Sequence, residues 1–396
     1  MSIRSLEALL KTTELRGRRV FVRADLNVPL KGGQISDDSR IRASLPTLRK
    51  LLAAGARVVL ASHLGRPKDA PDPKLSLAPV AQALAAALGV PVTLAPDCVG
   101  PEVEAAVARL GSGEVLLLEN LRFHREETKN EPGFARALAS LADVYVNDAF
   151  GTAHRAHAST AGMVAHVPIV AAGDLLAEEV EALSAALHPE RPFVCFLGGA
   201  KVSDKLGVLE ALIERADSVA VGGAMAYTFL AARGEPIGRS LVEPDRFDDA
   251  RRMLARAEAR GCALLLPTDH VVSDRVETGA LAEVVTTIPA DRLGVDIGPQ
   301  TAARYAAAAA SARTILWNGP MGVFEIDAFS KGTESLARAV AASPARSIVG
   351  GGDSLAAVAK VGVGDRIGHL STGGGASLEF VQGLTLPGIA ALDRDG

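Results

Sequence analysis

Short β-branched apolar runs alternate with longer Ala/Leu-rich stretches along the whole chain. In the first half the short runs are Val20–Arg23, Val58–Ala61, Val115–Leu118 and Val144–Val146. In the second they are Phe193–Leu197, Val219–Val221, Ala263–Leu266, Thr314–Trp317 and Ser347–Val349. The stretches between have helical spacing, as in Ile41–Ala54, where Ile41, Leu45, Leu48 and Leu52 share one face. Strands alternating with helices predict parallel sheets covered by helices. A chain of 396 residues exceeds one ordinary hydrophobic core, so two domains are expected. The pattern contains no tandem repeat and no low-complexity linker. The expected fold is therefore α/β, with two similar-sized lobes, each a doubly wound, Rossmann-like parallel sheet, and a hinge and cleft between them. The small residues Ala171–Gly173, followed by an acidic helix start, put the division between 1–171 and 172 onward.

In an open parallel sheet, ligands sit beyond the carboxyl ends of the strands. Residues that follow each strand are thus the candidates for chemistry. In the first half, Asp25 and Asn27 follow the first strand, two apart and so on one side if the strand continues. His63, Leu64, Gly65 and Arg66 follow the second, Asn120 and Arg122 the third, and Asp148 then His154, Arg155 and His157 the fourth. Arg40 and Arg42 open the Ile41–Ala54 helix, off its apolar stripe. A lone arginine is usually a solvated charge. A set of them on successive strand ends predicts an anion site, because guanidinium forks match phosphate and carboxylate oxygens. His63 is placed to donate to an anion, whereas His154 and His157 lack the spacing of a helical zinc site and read as loop or structural groups.

In the second half the strand ends carry glycine. Gly198-Gly199-Ala200-Lys201 follows the first strand, with a helix expected from around Ser203. Gly222-Gly223 follows the next, then Asn318-Gly319-Pro320, then Gly350-Gly351-Gly352-Asp353-Ser354. Gly373-Gly374-Gly375 precedes an Ala376–Gln382 helix. One glycine pair is an ordinary tight turn. Five, accompanied by lysines and one Asp, predict backbone N–H groups placed against phosphates. Lys201 and Lys205, four apart, are expected to face the same phosphates. Asp353 is the candidate magnesium ligand, since Mg²⁺ takes one or two carboxylates plus phosphate oxygens. The P-loop, the dinucleotide fingerprint and the protein-kinase motifs do not occur in this sequence.

Charge sharpens the division. Residues 1–170 hold 21 Lys/Arg against 17 Asp/Glu, and the remainder 21 against 29. A mildly basic first half suits an anionic ligand, or is drift in surface charge. The overall net charge of −4 points to neither nucleic acid nor membrane surface. Cys98, Cys195 and Cys262 are far apart, without metal-type spacing, which fits a reducing cytoplasm. The N-terminus has no apolar signal core, and no apolar run reaches membrane-spanning length.

The segments Val22–Pro29 (VRADLNVP), Ser36–Arg42 (SDDSRIR), Ser62–Pro67 (SHLGRP), Leu118–Phe123 (LENLRF) and Val146–His157 (VNDAFGTAHRAH) resemble phosphoglycerate kinases. So do Gly198–Lys205 (GGAKVSDK), Trp317–Glu325 (WNGPMGVFE), Gly350–Asp353 (GGGD) and Ser371–Glu379 (STGGGASLE). The resemblance runs from about residue 20 to 388. It implies a 3-phosphoglycerate or 1,3-bisphosphoglycerate site from Asp25, Asn27, Arg40, His63, Leu64, Gly65, Arg66, Arg122 and Arg155. It implies an ADP/ATP site from Gly199, Lys201, Lys205, Gly223, Gly294, Asn318, Glu325, Gly351, Gly352, Asp353 and Ser354. Glu325 then meets the ribose, Asp353 the Mg²⁺ and Lys201 the moving phosphoryl group. Arg40, Lys201 and Gly373–Gly375 would stabilise transfer. The resemblance further implies a nucleotide domain of residues 172–378, a tail of 379–396 returning to the first domain, and a monomer. Two departures stand out: Ala24 where the family often has Val, and Ala224 where a third Gly is common. Both sites must meet for transfer, so closure of the lobes is expected. Other carboxylate kinases, and a non-catalytic nucleotide-binding scaffold, remain open at this point.

Overall fold

The computed structural model describes residues 3–68 and 71–393. In chain order the strands are β1 (Arg19–Ala24), β2 (Leu30–Lys31), β3 (Gln34–Ile35), β4 (Arg57–Ala61), β5 (Val92–Leu94), β6 (Val115–Leu117), β7 (Val144–Asp148) and β8 (Ile169–Ala172). Then come β9 (Phe193–Leu197), β10 (Ser218–Val221), β11 (Ala263–Leu265), β12 (His270–Ser273), β13 (Glu283–Val285), β14 (Leu293–Ile297), β15 (Thr314–Asn318), β16 (Arg346–Gly350) and β17 (His369–Ser371). One six-stranded sheet runs β5-β6-β4-β1-β7-β8 and another β11-β10-β9-β15-β16-β17, each all-parallel. Helices flank both, so the expected two-lobed α/β fold is present. The antiparallel sheet β13-β12-β14 was not expected from the pattern. Its strands are short, and polar or small residues (His270, Ser273, Glu283, Gly294, Asp296) break the apolar run that marks a buried parallel strand.

Period-two alternation decides what each face of β1 does. Val20, Val22 and Ala24 pack with Ile41, Leu45 and Leu48 of helix Ser39–Ala53. Phe21 points the other way and stacks on Tyr145, 6.1 Å between ring centres. Arg23 shares that second face and is fully buried. In the other sheet Phe196, Ile315, Trp317 and Val349 share one core with Tyr305, Leu336 and Val358. Full burial of such side chains is worth about 1.5–3 kcal/mol each.

The compact units are the described residues to Val180 together with those from Thr385 on, and Glu181–Leu384. The first boundary thus falls later than Ala171, for two reasons. The stretch before Gly173 is strand β8 of the first sheet, and the start of helix Asp174–Leu187 is held by that unit. Buried Asp148 accepts from the Leu175 N–H at 3.0 Å, and Thr47 Oγ1 accepts from the Asp174 N–H at 2.9 Å. The tail likewise begins later than residue 379. Arg215 donates to the Val381 carbonyl at 2.6 Å and holds the Gly375–Val381 helix in the second unit. Further on, the Gly388 N–H donates to the Ala153 carbonyl at 2.8 Å, in the first unit.

Candidate active site

Each sheet reverses its strand order once, and each reversal leaves a crevice at the strand carboxyl ends. In the first unit β1 lies between β4 and β7. Asp25, just past β1, forms an ion pair with Arg40, at the start of helix Ser39–Ala53. Arg42 is not part of this site. It pairs with Asp38 one turn earlier, on the surface. Asn27 turns inward, and its Oδ1 accepts from the Gly65 N–H at 2.8 Å. Asn120 fixes the same loop: it accepts from the Leu64 N–H at 3.1 Å and donates to the Leu64 carbonyl at 2.7 Å. Arg122 donates to the Gly65 carbonyl at 2.8 Å. Arg66, Arg122 and Arg155 then line one cavity of about 360 Å³, with His124, Arg125 and Thr128. Asn27, Leu64 and Gly65 line a second, of about 640 Å³.

His63 is buried, and desolvation with Arg23, Arg122 and Arg40 nearby holds its pKa far below the ordinary value. It is therefore neutral at pH 7. The Arg23 Nη2 lies 3.3 Å from His63 Nδ1. A guanidinium only donates, so Nδ1 accepts and the proton sits on Nε2. Arg23 itself is bound by Ser159 Oγ at 2.8 Å, and Ser159 Oγ donates to buried Glu127 at 2.6 Å. Arg23, Ser159 and Glu127 went unnoticed in sequence because they lie beneath the rim, not on it. The one available signal was a charged residue inside an apolar strand pattern. Burial, Arg23 and Arg155 push the Arg122 guanidinium down to about 10, and it stays charged at neutral pH.

In the second unit the reversal lies between β9 and β15. The turns that follow β9 and its other neighbour, β10, approach so closely that only glycine fits. A Cβ on Gly223, whose φ is +68°, would meet the Gly199 nitrogen and carbonyl oxygen at 2.6 Å. Ala224 beside it has φ −66°, an ordinary helical value, so its methyl strains nothing. Gly199, Gly223, Gly294, Glu325 and Asp353 line one cavity of about 320 Å³. Its other walls are Tyr227, Leu241, Val276, Leu293, Met321 and Val323. Strand-end reasoning missed these apolar walls, several of which come from around the antiparallel sheet. Leu241 and Val276 are 56% and 50% exposed, and large exposed apolar side chains beside a cavity are the signal for a flat apolar ligand.

Lys205 does not face outward with Lys201. Its ammonium donates to the Gly198 carbonyl at 2.6 Å and to the Asn318 carbonyl at 2.9 Å, while Lys201 is exposed. The helix expected from Ser203 begins at Leu206. Ser203 gives its N–H and hydroxyl to Glu243 at 3.1 and 2.6 Å, which holds a turn where the helix would have started. Burial pushes the Lys205 amine down to about 8, against the opposing pull of Asp353 and Asp204. Asn318 donates to the Gly350 carbonyl at 2.8 Å, and a Cβ on Gly351 would touch its amide at 2.9 Å. Ser354 Oγ accepts from the Gly319 N–H at 2.6 Å, so Ser354 braces a turn and does not face the cavity. Gly352 has open space around it, and Asp353 is exposed in the first turn of helix Gly352–Val361. The Gly373 N–H reaches Ser371 Oγ at 3.4 Å, and Gly375 starts the following short helix.

The chain matches the phosphoglycerate kinase family over residues 10–384. It is 57% identical over 386 residues to the phosphoglycerate kinase of Moorella thermoacetica, covering 97% of this chain and 98% of that one. To the phosphoglycerate kinase of Anaeromyxobacter dehalogenans (strain 2CP-C) it is 57% identical over 400 residues, covering both chains in full. Among solved structures it resembles phosphoglycerate kinase from Coxiella burnetii, with a TM-score of 0.90, 43% identity and 99% of each chain covered. The enzyme from Pyrococcus horikoshii OT3 gives a TM-score of 0.85 at 36% identity, covering 98% of each chain.

Proposed function

The chain belongs to the phosphoglycerate kinase family, and from that premise we propose which residues carry its reaction. It is a phosphotransferase with a carboxyl acceptor, and it moves a phosphoryl group reversibly from 1,3-bisphosphoglycerate to ADP in glycolysis. The carrying observation is the pair of dissimilar crevices: four arginines around one cavity, glycine turns with one apolar slot around the other.

The first unit binds the acid. Arg66, Arg122 and Arg155 take its distal phosphate, and Asp25 and Asn27 its hydroxyl. His63 donates Nε2–H to the carboxyl end, and Arg40 stands beside Asp25 where the acyl phosphate forms. The second unit binds the nucleotide. The apolar slot takes the base, Glu325 the ribose hydroxyls, and Gly199, Gly223, Lys205 and the Gly351–Asp353 turn, braced by Ser354, the phosphates. The β-phosphate of ADP attacks the acyl phosphate, whose carboxylate leaves; in reverse, the carboxylate attacks the γ-phosphate. Both nucleophiles are ionised at neutral pH, so neither a general base nor a covalent enzyme intermediate is required. Arg40, Lys201 and the N–H groups at Gly373–Gly375 stabilise the moving charge.

The residues present fit Mg²⁺. Asp353 is an exposed carboxylate on the nucleotide cavity wall, and open space at Gly352 leaves room for phosphate and water ligands. When bound, the ion neutralises phosphate charge. The three cysteines are free and buried, which supports a reducing cytoplasm. Among the described residues no helix is long and apolar enough to cross a membrane.

The purified protein is expected to form 1,3-bisphosphoglycerate from 3-phosphoglycerate and ATP only with a divalent cation. Absence of turnover in folded protein at saturating substrates overturns the assignment. Asp353→Asn is expected to weaken ADP binding measured by calorimetry in Mg²⁺, with partial recovery as Mg²⁺ is raised. An unchanged Mg²⁺ dependence would move the ligand elsewhere.

A further inference from the structure

Beside the arginine-lined cavity, one group of side chains has no part in the proposed reaction. Neighbouring strands β5 and β6 are parallel and paired, so their following loops emerge side by side. The loop after β5 carries Asp97 and Cys98, and the turn after β6 carries His124. A carboxylate oxygen of Asp97, the sulfur of Cys98 and a ring nitrogen of His124 all lie within 4.8 Å of one another. The backbone holds the set in place. The Cys98 N–H donates to Asp97 Oδ1 at 2.6 Å, and the Glu119 N–H donates to the Asp97 carbonyl at 3.3 Å. The His124 ring packs on Phe134, 5.3 Å between centroids. His124 Nε2 and Asp97 Oδ1 are 2.7 Å apart.

We propose that Asp97, Cys98 and His124 form a site for a thiophilic divalent cation, Zn²⁺ by chemistry, with a fourth position left to water. One thiolate, one imidazole and one carboxylate are the donor set Zn²⁺ accepts, and a hard cation such as Mg²⁺ prefers an all-oxygen set. Bond lengths of about 2.0–2.3 Å put tetrahedral ligand atoms about 3.3–3.8 Å apart. The widest pair here must therefore close by at most about 1 Å, and the His124–Asp97 pair, at 2.7 Å, must open by somewhat less. Asp97 and His124 are partly exposed and supply these movements, while Cys98 is buried and stays in place. A thiolate and a carboxylate also cancel the ion's two charges. Access runs from the cavity that His124 lines. Burial together with Asp97 and Glu127 disfavours the free thiolate, so the metal-free thiol keeps its proton. Binding then replaces the S–H bond by a metal–sulfur bond and releases one proton to water.

Co²⁺ serves as the optical probe, added to the full chain without nucleotide and in excess Mg²⁺. The expected result is one Co²⁺ per chain with a thiolate-to-metal charge-transfer band, displaced by Zn²⁺ and untouched by Mg²⁺. Zn²⁺ calorimetry in buffers of different ionisation enthalpy should report one proton released. Cys98→Ser is expected to remove the band and weaken Zn²⁺ binding by more than about 100-fold, the upper end for loss of an outer partner. Asp97→Asn and His124→Gln should weaken it with the band retained. Cys195→Ser and Cys262→Ser should change nothing. If Cys98→Ser does not fold, protection of Cys98 from alkylation by Zn²⁺ in the unmodified chain decides. No band, a band that survives in folded Cys98→Ser, or unprotected Cys98 overturns the proposal.

Discussion

Arg40→Ala is expected to lower kcat by at least about 10²–10³-fold, the usual cost of losing one preorganised transition-state donor. The KM for 3-phosphoglycerate should change by less than about tenfold. The split follows from where Arg40 stands. It occupies the start of helix Ser39–Ala53 and is ion-paired with Asp25, so the guanidinium is oriented before any ligand arrives. The cavity arginines Arg66, Arg122 and Arg155 supply the ground-state grip on the distal phosphate, and they remain in the variant. Charge that develops on the moving phosphoryl group is what Arg40 alone would lose. The substitution also strands the Asp25 carboxylate, whose side chain is only 11% exposed, so some loss of Tm is expected. Arg40→Lys separates the two effects: it keeps a partner for Asp25 but not the planar fork, and should restore Tm more than kcat. Steady-state kinetics beside thermal melting makes the comparison. A folded Arg40→Ala with near-normal kcat would reduce Arg40 to a counter-ion for Asp25.

Lys205→Met is expected to weaken ADP binding by about 10- to 100-fold, the range for charge-assisted hydrogen bonds. The pH dependence distinguishes this from simple disruption of the turn. Burial brings the ligand-free amine down to about 8. The charged form is therefore lost as pH rises through 8, and ADP affinity should fall between about pH 7.5 and 9.5. In Lys205→Met that slope should vanish. Stability moves the opposite way. The folded pKa lies below the unfolded value of about 10.4, so between the two the unfolded chain holds more protons. The ligand-free protein is accordingly held back by the buried charge below pH 8, and gains stability as pH climbs from 8 towards about 10.4. Calorimetric titration of ADP across this range, with urea unfolding at the same pH values, reads both. A wild-type affinity flat from pH 7.5 to 9.5 would show that the Lys205 charge does not serve the nucleotide.

The strand-and-helix order, the two parallel sheets and the sorting of arginines to one half and glycines to the other all follow from local pattern. Period-two runs such as Val20–Arg23 and the helical stripe through Ile41, Leu45 and Leu48 set which faces are apolar, and burial of those faces leaves few ways to fold. The strand ends then followed without the structure, and the rim residues Asp25, Arg66, Arg122, Gly199 and Asp353 sit on them. What the pattern did not contain is everything decided by partners distant in sequence. Spacing alone puts Lys205 on the same phosphates as Lys201, and the Asn318 carbonyl, 113 residues away, draws it inward. The helix near Ser203 was displaced by a hydrogen bond to Glu243, 40 residues on. Arg23 became the group that sets the proton on His63, and Asp97, Cys98 and His124 became neighbours, only because parallel strands bring their ends together. Propensity and periodicity act over a turn or a strand, whereas desolvation and hydrogen-bond pairing depend on what the packed chain brings within about 3 Å.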